Sequence, residues 1–179
     1  TANISIGQGY MKVTPLQLSN AVSFVVNDGV VYRPHVLKEI RDPITGELLQ
    51  SQQPEVLFQR PLRDETFENV RTAMRGVITE GTANVVITTD AVEAAGKTGT
   101  SEVGLEENWH SWFTAFAPYE TSDPEERVVV TVFVDAVNEW EWWAPKAANI
   151  ILHGVFTGHD YERSVEELKR GPRPAWYLY

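Results

Sequence analysis

Residues 128–134 read Val-Val-Val-Thr-Val-Phe-Val, with valine at five of seven positions. β-Branched side chains are stiff at χ1 and pack best on a pleated surface, so this run constrains the fold more than any other stretch. It shows no apolar–polar alternation, which marks a strand covered on both faces. A strand of that kind needs neighbours. Two further extended runs precede it, at residues 91–102 and 109–119, and the acidic turn Thr121-Ser122-Asp123-Pro124-Glu125-Glu126 leads into the strand spanning residues 127–137. Strands this close in sequence pair antiparallel, as a meander.

Helices flank the strands. Thr14-Pro15-Leu16-Gln17 has the form of a capping box with proline at the first helical position, and Gly29 is a natural stop for the helix it starts. Residues 30–40 read as one extended segment interrupted at Pro34, and Asp42-Pro43-Ile44-Thr45-Gly46 as a turn. Residues 50–61, rich in Gln and Pro, read as a surface connection. A second helix starts near Asp64, with Phe67, Val70, Met74, Val77 and Ile78 on one stripe and Gly81 at its end. Residues 145–156 form an apolar helix followed by Gly158. Gly171-Pro172-Arg173-Pro174 marks a loose tail.

Composition narrows the function classes. The chain has 179 residues and 42% hydrophobic content, enough for a packed core. Its net charge of −10, from 25 acids against 15 bases, argues against a nucleic-acid partner, which requires clustered cations. The absence of cysteine excludes disulfides, a thiol nucleophile and cysteine metal sites. His35, His110, His153 and His159 are scattered, without the i, i+4 spacing of a helical metal site, so neither a metal nor a cofactor is expected. The chain opens on Thr1 in mid-pattern, which reads as a piece of a longer polypeptide.

Candidate chemistry concentrates at residues 94–102, Ala-Ala-Gly-Lys-Thr-Gly-Thr-Ser-Glu. A Lys-[Ser/Thr]-Gly triplet alone arises by chance in roughly a tenth of chains this long. Here it sits in a strand with two partners to follow. Gly99, lacking Cβ, is expected to let another backbone approach. Thr98 and Thr100 lie two apart on one face, where both hydroxyls can reach one carboxylate. Lys97 points to the other face by alternation, with a flexible stem that can lean toward the site. The three indoles at Trp140, Trp142 and Trp143 either close the sheet edge or wall a ligand groove, with Trp142 as the candidate binding residue. Gly7-Gln8-Gly9 lacks the context of a dinucleotide loop and reads as a tight turn.

These stretches resemble, in order and spacing, the C-terminal part of a penicillin-binding protein transpeptidase domain. The resembling segments are Ile6-Gly7-Gln8-Gly9-Tyr10, Val13 to Leu18, Asn27-Asp28-Gly29, Tyr32-Arg33-Pro34, Met74-Arg75-Gly76-Val77, Gly81-Thr82-Ala83, Ala95-Gly96-Lys97-Thr98-Gly99-Thr100 and Phe116-Ala117-Pro118. Lys-Thr-Gly is a signature of that superfamily. The Gly-Gln-Gly-Tyr form is most similar to class B, elongation-type proteins. The resemblance runs to about Gly158, which divides the chain into residues 1–160 of the domain and a tail at 161–179.

The resemblance implies an α/β, serine β-lactamase/transpeptidase-like fold: a central antiparallel sheet with helices on both faces, this chain supplying three C-terminal strands. It implies serine acyl transfer between peptidoglycan stem peptides, trapped by β-lactam antibiotics. Lys97 would hold the proton network, Thr98 and Thr100 the substrate carboxylate, and the Thr100 N–H half of an oxyanion hole, with Gly99 between them. A site on the periplasmic face of the bacterial inner membrane, and contact with cell-wall elongation machinery, follow from the family. The pattern is incomplete: none of the serines at 5, 19, 23, 51, 101, 111, 122 or 164 is followed three residues later by lysine, and Ser-x-Asn is absent. The expected partner is therefore the N-terminal portion of the same protein, carrying Ser-x-x-Lys and Ser-x-Asn. The alternatives are a serine β-lactamase or D,D-carboxypeptidase, or a non-catalytic penicillin-sensing or assembly domain.

Overall fold

A computed structural model of the chain describes residues 4, 7, 9–103, 108–137 and 142–179. Its centre is a three-stranded antiparallel sheet in the order β5-β6-β7, formed by β5 (Ala95–Glu102), β6 (Trp109–Ala117) and β7 (Val128–Val137). Helix α1 (Pro15–Val26) lies on one face and α3 (Trp143–Thr157) on the other, while α2 (Asp64–Thr79) packs along β5. This is the α/β arrangement the sequence predicts, with the valine-rich β7 covered on both sides.

Alternation along β6 divides the core. Phe113, Ala115 and Ala117 pack with Ala144, Ala148 and Leu152 of α3. Phe116 turns the other way, to Ala95, Val22 and Val26 of α1, and Met74 of α2. Phe113, Phe116 and Leu152 are fully buried. Each contributes about 1.5–3 kcal/mol relative to exposure.

The helix ends follow their signals. The Thr14 hydroxyl accepts from the Gln17 N–H at 3.2 Å, and Gln17 Oε1 accepts from the Thr14 N–H at 2.9 Å. Beyond α1 the chain reverses through Gly29 at φ +93°, where a Cβ would collide with the Arg60 carbonyl. Residues 30–40 are not one extended segment. They form β1 (Val30–Tyr32) and β2 (Glu39–Arg41), separated around Pro34. β2 makes a hairpin with β3 (Leu48–Ser51), closed by the Ile44 and Thr45 N–H groups donating to Asp42 Oδ1 at 2.8 and 2.7 Å. Those bonds hold the Asp42 carboxyl below its usual range. Residues 50–61, expected as a connection, contain β4 (Val56–Gln59), which pairs with β1. Every residue of β2, β3 and β4 is exposed, so no inward–outward alternation was there for the pattern to report.

The stretch expected as a loose tail is folded. α4 (Tyr161–Arg170) packs on α3, and a short 3₁₀ turn, Trp176–Leu178, follows it. Trp176 Nε1 donates to the Val85 carbonyl at 3.1 Å, Tyr177 Oη to the Val86 carbonyl at 3.0 Å, and Arg173 to the Asn84 carbonyl. Asn149, fully buried on α3, ties this strap inward. Its Oδ1 accepts from the Thr88 and Thr89 N–H groups at 2.9 Å each, and its Nδ2 donates to Tyr177 Oη at 2.8 Å. Burial pushes the Tyr177 phenol up to about 12.

Two of the four histidines meet in space. The α3–α4 hairpin brings His153 and His159 onto Glu167.

Candidate active site

β5 is an outer strand of the sheet, so its far edge is open among the described residues. Across its other edge, Lys97 lies opposite Thr114, Gly99 opposite Trp112 and Ser101 opposite His110. Directly opposed residues share a face. Lys97 is therefore on the α1 side, with Phe116 and Ala95. Thr98 and Thr100 oppose Phe113 and Ser111, on the α3 side, where the Ser111 hydroxyl accepts from the Ala144 N–H at 3.1 Å.

A groove of about 880 Å³ opens on the Lys97 face. This reverses the expected arrangement of the motif. Lys97 belongs to the groove face outright, and its Nζ donates to the Thr98 carbonyl at 2.7 Å. The Thr98 hydroxyl is engaged elsewhere, 3.0 Å from that of Thr82. Thr98 and Thr100 still border the groove, along the strand rather than across it. Gly99 also differs from expectation. A Cβ there would lie 3.2 Å from Trp112 Cβ, so the space is taken by a side chain of the neighbouring strand. Gly96 is needed more strictly, since a Cβ would lie 2.7 Å from Phe113 Cζ and 2.8 Å from the Thr114 carbonyl oxygen.

The groove has an aromatic wall, but not the expected one. Trp112 and Phe133 pack with tilted rings 4.3 Å apart between centroids and His110 and Phe133 at 5.0 Å, with His110 Nδ1 2.8 Å from Asp135 Oδ1. Trp142 is the N-cap residue of α3, 36% exposed, and does not line the groove. Trp143 instead packs on the Lys146 ammonium, 4.7 Å from ring centroid to Nζ, and Trp140 lies outside the described residues. Sequence reasoning also missed a hydroxyl chain beneath Lys97. Ser19 of α1 reaches Thr131 at 2.8 Å, and Thr131 reaches Thr114 at 2.9 Å. The available signal was Thr131, the one hydroxyl interrupting the valines of β7.

An open strand edge, a cation on the groove face and hydroxyls along the rim suit an extended, carboxylate-bearing peptide laid beside β5. Residues 1–154 match the family model for the penicillin binding protein transpeptidase domain. The chain belongs to that family. Its relatives include stage V sporulation protein D of Bacillus subtilis, 36% identical over 139 residues, covering 75% of this chain and 20% of that protein. The peptidoglycan D,D-transpeptidase MrdA of Haemophilus influenzae is 31% identical over 153 residues, covering 75% of this chain and 22% of the relative. Among solved structures, the D,D-transpeptidase domain of a peptidoglycan glycosyltransferase from Eggerthella lenta is 27% identical, with a TM-score of 0.65 over 82% of this chain and 32% of that one. This penicillin-binding protein chain thus spans about a fifth of the length of the curated relatives it matches.

Proposed function

We propose that the chain is the C-terminal part of a class B, elongation-type peptidoglycan D,D-transpeptidase, and that β5 is the receiving wall of its active site. The observation that carries this is the Lys97-Thr98-Gly99-Thr100 motif on an open-edged strand, with Lys97 facing the groove. The attacking serine and its lysine come from an upstream portion of the same protein. The serine Oγ adds to the carbonyl of the penultimate D-alanine of a stem peptide. The peptide C–N bond breaks, terminal D-alanine leaves with a proton, and an ester remains. An amine of a second stem peptide attacks that ester, forming the crosslink and returning the proton to serine. Lys97 supplies positive potential where the serine proton is moved and oxyanion charge develops. The Thr100 N–H donates to the oxyanion, and Thr98 and Thr100 meet the terminal carboxylate at the groove's rim.

The same reading puts the domain on the periplasmic face of the inner membrane, held by an upstream anchor and working with cell-wall elongation machinery. β-Lactams acylate the same serine because their strained amide presents a carbonyl and a carboxylate at matching positions. In the full-length protein, Lys97→Ala slows labelling by a fluorescent penicillin about 100-fold at unchanged melting temperature, the scale of losing one preorganised electrostatic group. Labelling at the wild-type rate refutes the role of Lys97. Rapid release of hydrolysed penicillin, rather than a persistent adduct, assigns the chain to a β-lactamase instead.

A further inference from the structure

On the sheet face opposite the groove, α3 and α4 form a hairpin whose side chains converge on one point. His153 Nε2 and His159 Nδ1 lie 2.9 and 2.8 Å from the same oxygen, Glu167 Oε2. The three ligand atoms all fall within 4.8 Å of one another. We propose that His153, His159 and Glu167 bind one divalent transition-metal ion of the zinc type, which clamps α4 to α3.

Two imidazoles and one carboxylate make a donor set that suits zinc and its neighbours, with one position left for water. Metal–ligand bonds of about 2.0–2.2 Å in tetrahedral geometry place ligand atoms about 3.3 Å apart. The observed separations are slightly shorter, so the ion requires the Glu167 carboxylate to withdraw by about half an ångström. That side chain is 36% exposed, which leaves room for the shift.

The surrounding groups aim the ligands. His153 is buried, and its second nitrogen, Nδ1, lies 3.0 Å from the Thr89 hydroxyl. This is the kind of outer contact that orients a metal-bound imidazole. With the ion bound, His153 Nδ1–H donates to Thr89 Oγ1 while Nε2 faces the ion, and His159 presents Nδ1. Arg163 Nε donates to the other Glu167 oxygen, Oε1, at 3.0 Å, leaving Oε2 to bind in monodentate fashion. The cleft above, about 470 Å³, is also lined by Asp90, Glu166 and Arg170, and Arg170 is paired with Glu166 at 2.8 Å. Water reaches the fourth position through it. His159 and Glu167 lie beyond residues 1–154 matched to the family model, so the site stands apart from the transpeptidase chemistry.

The test strips the full-length protein with a chelator and titrates it with Co²⁺ and then Zn²⁺. One Co²⁺ per chain binds with visible tetrahedral d–d bands, Zn²⁺ displaces it, and saturating Zn²⁺ raises the melting temperature by mass action. His153 is buried, so the variants are His159→Ala and Glu167→Gln, each expected to weaken binding at least 100-fold, and Thr89→Val, expected to weaken it about 10-fold. Absence of cobalt bands and of a Zn²⁺ thermal shift overturns the proposal, leaving a proton-held cluster. So does binding that survives both ligand variants unchanged. Penicillin labelling is unaffected in every case, so the outcome is independent of the proposed transpeptidase role.

Discussion

At residue scale, the two glycines around Lys97 have different duties. Gly96 points into the core against Phe113, and its Cβ position is closed on three sides by Phe113, Thr114 and Ala115. Gly96→Ala overpacks that point and costs about 2 kcal/mol, read from chemical denaturation, whereas Gly99→Ala, against the Cβ of Trp112 alone, costs less. Equal losses at the two positions contradict this assignment. Asn149 shows the opposite hazard, a buried polar group whose bonds are all made. Asn149→Ala strands the Thr88 and Thr89 N–H groups, removes the donor to the Tyr177 hydroxyl, and lowers stability by about 3 kcal/mol. Sequence could name Lys97 and its neighbours because the motif is local. It could not say which face held the groove, because that depends on where α1 packs. Nor could it single out Asn149, whose partners lie 61 and 28 residues away.

At the scale of elements, legibility followed burial. The capping box at Thr14, the stripe of α2 and the three strands of the meander were readable because one face or both had to leave water. β4 was not, being exposed throughout and defined only by its pairing with β1. The C-terminal strap escaped for a related reason. Its glycine and prolines signal a break in regular structure but not the docking of Trp176 and Tyr177 onto residues 85 and 86. That strap carries a pH signature. The folded state raises the Tyr177 phenol to about 12, from 10.0, by burying it. Its contribution is therefore fully present below pH 10 and falls away as pH rises toward 12. Urea melts of the wild type from pH 9 upward should show this alkaline loss, and Tyr177→Phe should flatten it. An unchanged slope in that variant would assign the loss to another group.

At the scale of the whole molecule, the proposed function makes the chain one wall of a site. α1 and α3 sandwich the sheet and hold β5 with its outer edge open, the aromatic wall of Trp112 and Phe133 beside it and Lys97 facing the groove. Sequence conveyed the fold at this scale, and placed Lys97-Thr98-Gly99-Thr100 on one of its strands. The aromatic wall of Trp112 and Phe133 was not legible, because three indoles within four residues at 140–143 stand out more than single aromatics spread over two strands. The most direct measurement is the location of the adduct. The full-length protein is treated with penicillin, digested, and the acylated peptide sequenced by mass spectrometry. A single adduct is expected on a serine upstream of Thr1, within Ser-x-x-Lys, with its near loss in Lys97→Ala. An adduct on Ser101, Ser111 or any other serine of this chain, or undiminished acylation in Lys97→Ala, contradicts it.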